Sequence, residues 1–277
     1  MSARSSVNVY LPQDTVHERA LLAFYEGCPV EKKLRAVNSY TPSDVAVVFG
    51  IYKSKVPQSF ARGKIIAEQK ARGLTTVVLE TGYLNRGDGE DHHYAAGLNG
   101  LNGRADFRNE GMPPDRFQRL NIEIKPWKVP GEYIILCGQV PWDASVDHID
   151  FSAWLVQARD AIQRWSDHPI VFRPHPKVTL PPLIGCLYST APLNADLQNA
   201  HACVTFNSNS AVEAVLEGVP VFAFDQGSMA LEVANRRFED IVEPQRPSRF
   251  EWASDLAYAQ WTLDEMREGL AWKHLFL

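Results

Sequence analysis

The amino-acid sequence predicts an α/β protein of two Rossmann-like domains, each with a parallel sheet covered by helices. Short apolar, β-branched runs alternate with helical stretches along the chain, a rhythm typical of strands joined by helical crossovers. The length of 277 residues is long for one such domain and sufficient for two small ones. Segment 126–130, which begins and ends with proline, indicates the connection between them.

The first half of the chain supplies the elements of one sheet. Strands are predicted where apolar and β-branched residues run together, at 7–11, 44–49 and 75–79. Helical spacing predicts a helix over 15–25 with Asp14 as its N-cap, and another over 60–72 that Gly73 ends at the C′ position. Glycine and polar residues dominate 80–119, which predicts a long, ordered functional loop.

The second half repeats the alternation. Its predicted strands lie at 132–137, 169–172, 202–206 and 219–224. Its predicted helices lie at 151–165, 193–200 and 210–217. The tail is predicted to be helical and carries Trp252, Trp261 and Trp272, which we expect to pack. The resulting division is a domain at 1–128, a domain at 129–249 and a C-terminal helical segment at 250–277.

The composition favours a globular protein. Hydrophobic residues make up 45% and charged residues 22%, both ordinary values. No apolar run approaches the roughly 18 residues of a membrane span, and residues 1–7 lack the apolar core of a secretory signal, so we expect a cytoplasmic location. The four cysteines form no C-x-x-C pair, which argues against a zinc or redox motif, and Cys137 and Cys203 are expected to be reduced core residues.

Small polar residues follow the strand predicted at 202–206. The backbone N–H groups at the start of the next helix form an anion site, and Ser208, Asn209 and Ser210 can cap that helix and bind a phosphate. Glu213, on an otherwise apolar helix face, suits the two hydroxyls of a ribose. A capped helix with a glutamate that matches its dipole is the alternative.

A stiff cationic turn follows the strand predicted at 169–172, with the sequence Arg173-Pro174-His175-Pro176-Lys177. Ligands of open α/β sheets bind where the strands end, and the two prolines hold the turn in place. Arg173, His175 and Lys177 are therefore candidates to bind a phosphate or diphosphate, although a rigid turn with solvated charges explains the same residues. Because both motifs follow strands of one sheet, together they favour a nucleotide site.

On these motifs, the second half resembles the donor-binding domain of GT-B glycosyltransferases, in the branch that contains capsular-polysaccharide transferases. That branch shares an R/K-P-H-P turn and a T/S-x-x-S…E-A-x-x-x-G-x-P-V segment. The matching residues are Arg173, Pro174, His175, Pro176, Thr205, Ser208, Glu213, Ala214, Gly218, Pro220 and Val221.

The resemblance covers about residues 130–230 and implies binding of a nucleotide-sugar such as a UDP-sugar, with no separate cofactor. It places Glu213 on the ribose and residues 208–210 on the diphosphate. It also implies a cleft between two domains and a last helix that crosses back onto the first. UDP-sugar 2-epimerases share this architecture, so the fold alone does not decide the reaction.

The first half is similar, in Asp91-His92-His93-Tyr94-Ala95-Ala96-Gly97-Leu98-Asn99-Gly100, to proteins of tailed phages. Some phages carry GT-B enzymes that glucosylate hydroxymethylated pyrimidines in DNA. Residues 1–130 contain 18 Lys+Arg against 14 Asp+Glu, a balance of +4 within a chain of net charge −5, which suits a DNA acceptor. A surface glycan is the other acceptor considered, and solvated surface charge also explains the basic clusters, which are Lys53, Lys55, Arg62, Lys64, Lys70 and Arg72, then Arg104, Arg108, Arg116 and Arg119.

Sugar transfer with inversion needs a base for the proton of the acceptor hydroxyl. The candidates in the loop are Asp91, His92, His93 and Asp106, with Asp91 or His93 first and Glu80 as a further possibility. No third ligand accompanies the histidine pair at helical spacing, so no metal site is predicted. Acceptor contacts are assigned to Arg86, Tyr94 and Arg104, and Arg86 is also considered for the leaving phosphate. Gln139 and Trp142 are assigned to the donor cleft, with a hydrophobic loop packed under the helix from Phe151 as the alternative. A sugar-nucleotide epimerase and a nucleotide-binding module without catalysis remain as alternatives.

Overall fold

The computed structural model describes residues 6–12, 17–51, 57–87 and 91–277. The chain divides into two compact units, and each is an α/β structure with its own sheet. The first unit comprises Met1–Leu120 and Ser254–Leu277, and the second comprises Asn121–Ala253. The C-terminal segment thus returns to the first unit, as the resemblance implied, although the return begins at Ser254, and Trp252 still belongs to the second unit.

The described residues form eleven strands and nine α-helices. The strands are β1 (Ser6–Leu11), β2 (Glu31–Ala36), β3 (Val45–Phe49), β4 (Thr75–Thr81), β5 (Tyr94–Leu98), β6 (Tyr133–Cys137), β7 (Ile170–Arg173), β8 (Leu187–Tyr188), β9 (Ala200–Thr205), β10 (Val221–Ala223) and β11 (Gln260–Trp261). The helices are α1 (Glu18–Gly27), α2 (Pro57–Ala71), α3 (Asp115–Leu120), α4 (Phe151–Trp165), α5 (Leu193–Asp196), α6 (Ser210–Leu216), α7 (Phe250–Ala257), α8 (Leu263–Arg267) and α9 (Leu270–Phe276). None of these helices is long and apolar enough to cross a membrane.

The sheet of the first unit has the order β11-β5-β4-β3-β1-β2. Strands β1 to β4 pair in parallel, whereas β5 is antiparallel to β4, and β11 is antiparallel to β5. The predicted strands and helices of this half are confirmed, and Gly73, with φ of 67°, ends α2 in the left-handed conformation. The N-cap of α1 is His17, and the predicted cap, Asp14, lies outside the described residues.

Strand β2 is absent from the prediction because its sequence is charged. It runs Glu-Lys-Lys-Leu-Arg-Ala at the edge of the sheet, where most of its side chains face solvent. Charged residues are common on edge strands, since they discourage pairing with other chains. Only the register with β1, in which Ser6 lies opposite Glu31, identifies this segment as a strand.

The segment 80–119 is more regular than the predicted loop. It contains β5, a 3₁₀ turn at Asn102–Arg104 and helix α3. Strand β5 reads Tyr-Ala-Ala-Gly-Leu and is fully buried, but its small residues hide it from a search for β-branched runs. Gly97 is required within it, because a Cβ there would lie 2.6 Å from the Cβ of Ala105 and 2.7 Å from the Phe107 ring.

The C-terminal segment completes the core of the first unit. Trp261 and Trp272 are buried in the same cluster as Val47 and Phe24, which confirms that these tryptophans pack. The tail is not wholly helical as predicted, because residues 260–261 form β11 on β5. Gln260 holds this edge, since its buried side chain accepts the N–H groups of Tyr83 and Leu84 and donates to the Leu84 carbonyl.

The second unit has a five-stranded, wholly parallel sheet in the order β10-β9-β6-β7-β8. Its predicted strands and helices are confirmed, except that α5 ends at Asp196 and the two-residue edge strand β8 was not predicted. Asp150 caps α4 by accepting the Ala153 N–H. In a parallel sheet all strands end at the same edge, which we call the carboxyl edge, and this edge gathers the residues that follow β6, β9 and β10.

Candidate functional site

The carboxyl edge of the second sheet carries a connected set of buried polar side chains. Gln139 follows β6, Asn207 follows β9 and Asp225 follows β10. The Gln139 side chain donates to the Asn207 side-chain oxygen at 2.7 Å and accepts the Asn207 backbone N–H at 3.1 Å. The Asn207 amide in turn donates to Asp225 Oδ1 and to the Ser145 carbonyl, each at 2.7 Å.

The set ends at a histidine that reaches solvent. His148 Nε2 lies 3.1 Å from Asp225 Oδ2, and the Gly227 N–H donates to Asp225 Oδ1 at 2.8 Å. Asp225 is 8% exposed, whereas the His148 side chain is 38% exposed. Gln139, Asn207, Asp225 and His148 form what we call the polar network, and only Gln139 was singled out from the sequence. The missed signal was position, because Asn207 and Asp225 directly follow predicted strands.

Next to the polar network, the polar turn after β9 is shaped by its own hydroxyls. Ser208 Oγ and Ser210 Oγ are 2.6 Å apart, and Ser208 Oγ accepts the Ser210 N–H at 3.3 Å. Asn209 is the N-cap of α6 but makes no side-chain capping bond, so the capping expected of it is wrong. All three side chains are partly exposed, which leaves their predicted role on a diphosphate as a prediction.

Glu213 has the placement that a ribose contact requires. It is exposed, whereas Ala211, Val212, Ala214 and Val215 on the same helix are fully buried. A carboxylate on an otherwise buried helix faces outward at a defined position. Its contact with a ribose stays a prediction.

Arg173 is committed to the structure of the second unit. Its guanidinium pairs with Asp196 Oδ2 at 2.8 Å and also donates to the Ala191 carbonyl. Ser189 donates to both oxygens of the same carboxylate, at 2.7 and 2.9 Å. The side chains of Arg173 and Asp196 are 15% and 10% exposed. The charge of Arg173 is therefore already compensated by a buried carboxylate, and its phosphate contact stays a prediction.

The remainder of the cationic turn is more accessible. Lys177 is exposed, and its backbone N–H donates to His175 Nδ1 at 3.2 Å. In the neutral ring this bond places the proton on Nε2. His175 and Lys177 keep their predicted role as phosphate ligands.

In the first unit, several predicted residues meet near the end of β4. Arg86 donates to Thr81 Oγ1 at 3.3 Å and forms a β-bridge with His93. Asp91 is exposed, and its carbonyl accepts from Asn85 at 3.0 Å. The ring of His92 fills the space beside Gly87, where a Cβ would lie 2.5 Å from the ring. Glu80, the further candidate, accepts from the N–H and hydroxyl of Thr81.

His93 is less suited to act as a base than its neighbours. The residue is 8% exposed, and burial lowers the pKa of its imidazole, although the Glu265 carboxylate acts in the opposite direction. Of the three neighbouring candidates, Asp91 and His92 are more accessible than His93. The assignment of the base stays a prediction.

Three predicted residues are not part of this group. Asp106 forms a bridge with Leu98, and Arg104 ends the 3₁₀ turn that follows β5, so both lie at the far end of β5 from His93, about 17 Å along the strand. The cause is the antiparallel direction of β5. Tyr94 is 1% exposed and packs edge-to-face on Phe49, so it serves the core, and its predicted acceptor contact is corrected.

His17, which was not singled out from the sequence, lies at the edge of the first sheet where β3 ends. It occupies the N-cap position of α1 and stacks on Phe49, the last residue of β3, with ring centroids 4.3 Å apart.

No group of three potential metal ligands occurs among the described residues. Trp142, at 64% exposed, stands outside the hydrophobic core of the second unit.

No protein-family model matches the chain, and no curated protein matches it. Among solved structures, the chain is similar to two transferases of KpsC from Thermosulfurimonas dismutans. The beta Kdo 2,4 transferase matches with a TM-score of 0.60 at 15% identity, over 92% of this chain and 90% of that one. The beta Kdo 2,7 transferase matches with a TM-score of 0.57 at 14% identity, over 96% and 98%. At these identities the likeness shows a shared fold of two Rossmann-like domains, of the GT-B type.

A UDP-GlcNAc 2-epimerase from Methanocaldococcus jannaschii is matched at 13% identity over 96% of this chain, with a TM-score of 0.38. A score this low gives no support to the epimerase alternative.

Proposed function

We propose that this protein is a glycosyltransferase that takes a sugar from a nucleotide-sugar held by the second unit. One observation carries the proposal. The fold matches that of the KpsC transferases over nearly the full length of both chains, and in this chain the carboxyl edge of the second sheet presents Ser208, Ser210 and Glu213, residue types that suit a nucleotide diphosphate and ribose.

In the proposed reaction, an acceptor hydroxyl oxygen forms a bond to the anomeric carbon of the sugar. The bond from that carbon to the donor phosphate oxygen breaks, and the phosphate keeps the electron pair. The acceptor proton passes to a general base, for which Asp91 and His92 are the accessible candidates. The Lys177 ammonium and the Nε2–H group of His175 stabilise the departing phosphate. No metal ion is assigned a step.

For the acceptor we propose a saccharide hydroxyl. The case for DNA rested on basic clusters, and two of their members are buried, since Arg62 donates to the Phe49 carbonyl and Arg116 pairs with Glu265. Arg108 and Arg119 form ion pairs with Asp106 and Asp115, and Lys53 and Lys55 lie outside the described residues.

The test has two stages. Thermal unfolding is first measured with UDP, GDP, CMP and their sugars, because a ligand that binds the folded state raises the melting temperature. The stabilising nucleotide-sugar is then incubated with a panel of oligosaccharides and with hydroxymethylated duplex DNA, with and without EDTA, and the products are identified by mass spectrometry.

Transfer to a saccharide supports the proposal, and transfer to DNA would move the acceptor to the phage-type alternative. A changed sugar without any acceptor would indicate an epimerase. Binding without turnover on any acceptor would indicate a binding module, and no thermal shift with any nucleotide would overturn the proposal.

A further inference from the structure

Because Arg173 is paired with Asp196, we ask which other groups of the donor site stabilise the departing phosphate. A departing nucleotide phosphate carries negative charge that a cationic or hydrogen-bonding group must stabilise. Arg173 is neutralised within the unit, and His175 and Lys177 sit on the turn after β7. The polar network lies on the other side of β6, beside the turn of residues 208–210.

His148 has the attributes of such a group. Its Nε2 is hydrogen-bonded to a carboxylate that is 8% exposed, while its own side chain is 38% exposed. A buried carboxylate at hydrogen-bond distance from Nε2 fixes the orientation of the imidazole ring. The second ring nitrogen, Nδ1, points in a different direction from Asp225.

The rest of the polar network explains why this geometry is rigid. Asp225 is held by the Asn207 amide at 2.7 Å and by the Gly227 N–H at 2.8 Å. Asn207 is held by Gln139 and by the Ser145 carbonyl. Each partner is anchored to the end of a different strand or to the loop after β6, so the histidine is positioned by the sheet itself.

The network also ties His148 to the proposed phosphate site. Asn207, which binds Asp225, is directly followed by Ser208, whose hydroxyl bonds to Ser210. His148 further packs its ring against Phe206, the residue before Asn207, with centroids 5.7 Å apart. The histidine and the serine turn are thus fixed to one short segment, residues 206–210.

We propose that His148 is a phosphate ligand of the donor site and that Asp225 is its positioning residue. In the complex, Nδ1 of His148 donates a hydrogen bond to a phosphate oxygen of the nucleotide while Nε2 donates to Asp225, so that the ring lies between two anions. This inference rests on the proposed function, because it deepens the description of the same donor site.

The experiment compares nucleotides with their nucleosides. Calorimetric titration measures the affinity of the full chain for UDP, GDP and CMP and for uridine, guanosine and cytidine. The variants are His148→Gln, which removes the charge, His148→Arg, which retains a cation, and Asp225→Asn. The matched control is His168→Gln, because His168 lies in the same unit, stacks on His201 and is separate from the polar network.

We expect His148→Gln to weaken binding of the nucleotide roughly ten- to a hundredfold, with nucleoside affinity unchanged. His148→Arg should recover part of the loss, and Asp225→Asn should weaken nucleotide binding by a smaller factor. A purely structural role would lower nucleotide and nucleoside affinity together, with a lower melting temperature, and would overturn the inference.

The two proposals fail in different ways. If the wild-type chain binds a nucleotide and His148→Gln binds it equally well, the inference alone is wrong. If the wild-type chain binds none of these nucleotides or any nucleotide-sugar, the proposed function is wrong, and the inference falls with it.

Discussion

The guanidinium of Arg173 lies 2.8 Å from the carboxylate of Asp196, and both side chains are largely buried. The arginine ends β7 and the aspartate ends α5, so the pair fastens a helix to the sheet of the second unit. The Ser189 hydroxyl also lies within hydrogen-bond distance of both oxygens of the Asp196 carboxylate. Arg173 therefore has a structural role in the second unit, besides its predicted contact with a phosphate.

The substitution Asp196→Asn should destabilise the protein by about 3–5 kcal/mol, because it leaves the Arg173 charge buried without a partner. Urea unfolding followed by circular dichroism measures this loss. The control Lys177→Ala, at an exposed position of the same turn, should change the free energy of unfolding by less than about 0.5 kcal/mol. Equal stability of Asp196→Asn and wild type would contradict this structural role of Arg173.

Glu265 should make the stability of the protein depend on pH in the acid range. Burial disfavours its charged form, but hydrogen bonds from Arg116 and from the Thr262 N–H outweigh this and hold the pKa of Glu265 below its usual value. A carboxyl group with a lowered pKa stabilises the fold above its unfolded pKa of about 4.3, and this contribution disappears as the pH falls through the folded pKa.

We therefore expect Glu265→Gln to be less stable than wild type at pH 7 and to lose less stability between pH 5 and pH 2. Urea midpoints over this range measure the difference. Glu268→Gln, at an exposed position after the same helix, should follow the wild-type profile. A parallel profile for Glu265→Gln would contradict the prediction.

Alanine substitutions at two glycines distinguish the loss of stability caused by a left-handed backbone from the loss caused by a steric clash. Gly73 and Gly218 have φ of 67° and 79°, but a Cβ at Gly73 meets nothing within 4 Å, whereas one at Gly218 lies 2.1 Å from the Pro126 carbonyl. Gly73→Ala should cost about 1–2 kcal/mol of stability. Gly218→Ala should cost about 1–3 kcal/mol more, because the chain at Pro126 must move. Chemical denaturation measures the free energy of unfolding of both variants. A larger loss for Gly73→Ala than for Gly218→Ala would refute the prediction.

Glu213 offers a test of the ribose contact. The variant Glu213→Ala should lower nucleotide affinity about tenfold through the loss of charge-assisted hydrogen bonds to the two hydroxyls, and the 2′,3′-dideoxynucleotide should bind the variant and the wild type alike. Calorimetry provides both affinities. Glu251→Ala, an exposed glutamate at the start of α7 in the same unit, is the control and should bind like wild type. Unchanged affinity of Glu213→Ala would remove Glu213 from the site.

The parts of the structure that were predicted from the sequence are those with a local cause. Strands β3, β4, β6 and β9 are buried on both faces, so they appear as continuous apolar runs. Gly73 ends a helix because its left-handed conformation disfavours other residues. The serine turn and Glu213 were found because small polar residues between a buried strand and a helix form a recognisable pattern.

Tertiary structure alone decided the remainder. Strands β2, β8 and β11 lie at sheet edges, where pairing with a neighbour far along the chain makes them strands. Most side chains of β2 and both of β8 are exposed, and β11, although buried, has only two residues. The antiparallel direction of β5 sends Asp106 to the opposite edge from His93.

The sequence by itself determined an α/β chain of two sheets and the location of the loops that follow its strands. The roles of charged residues within those loops were decided by partners far along the chain. Asp196 neutralises Arg173 from 23 residues away, and Asp225 reaches His148 across 77 residues. The physical reason is that electrostatic pairing depends on distance in space, and only the parallel sheet, by bringing the ends of β6, β9 and β10 together, creates that proximity.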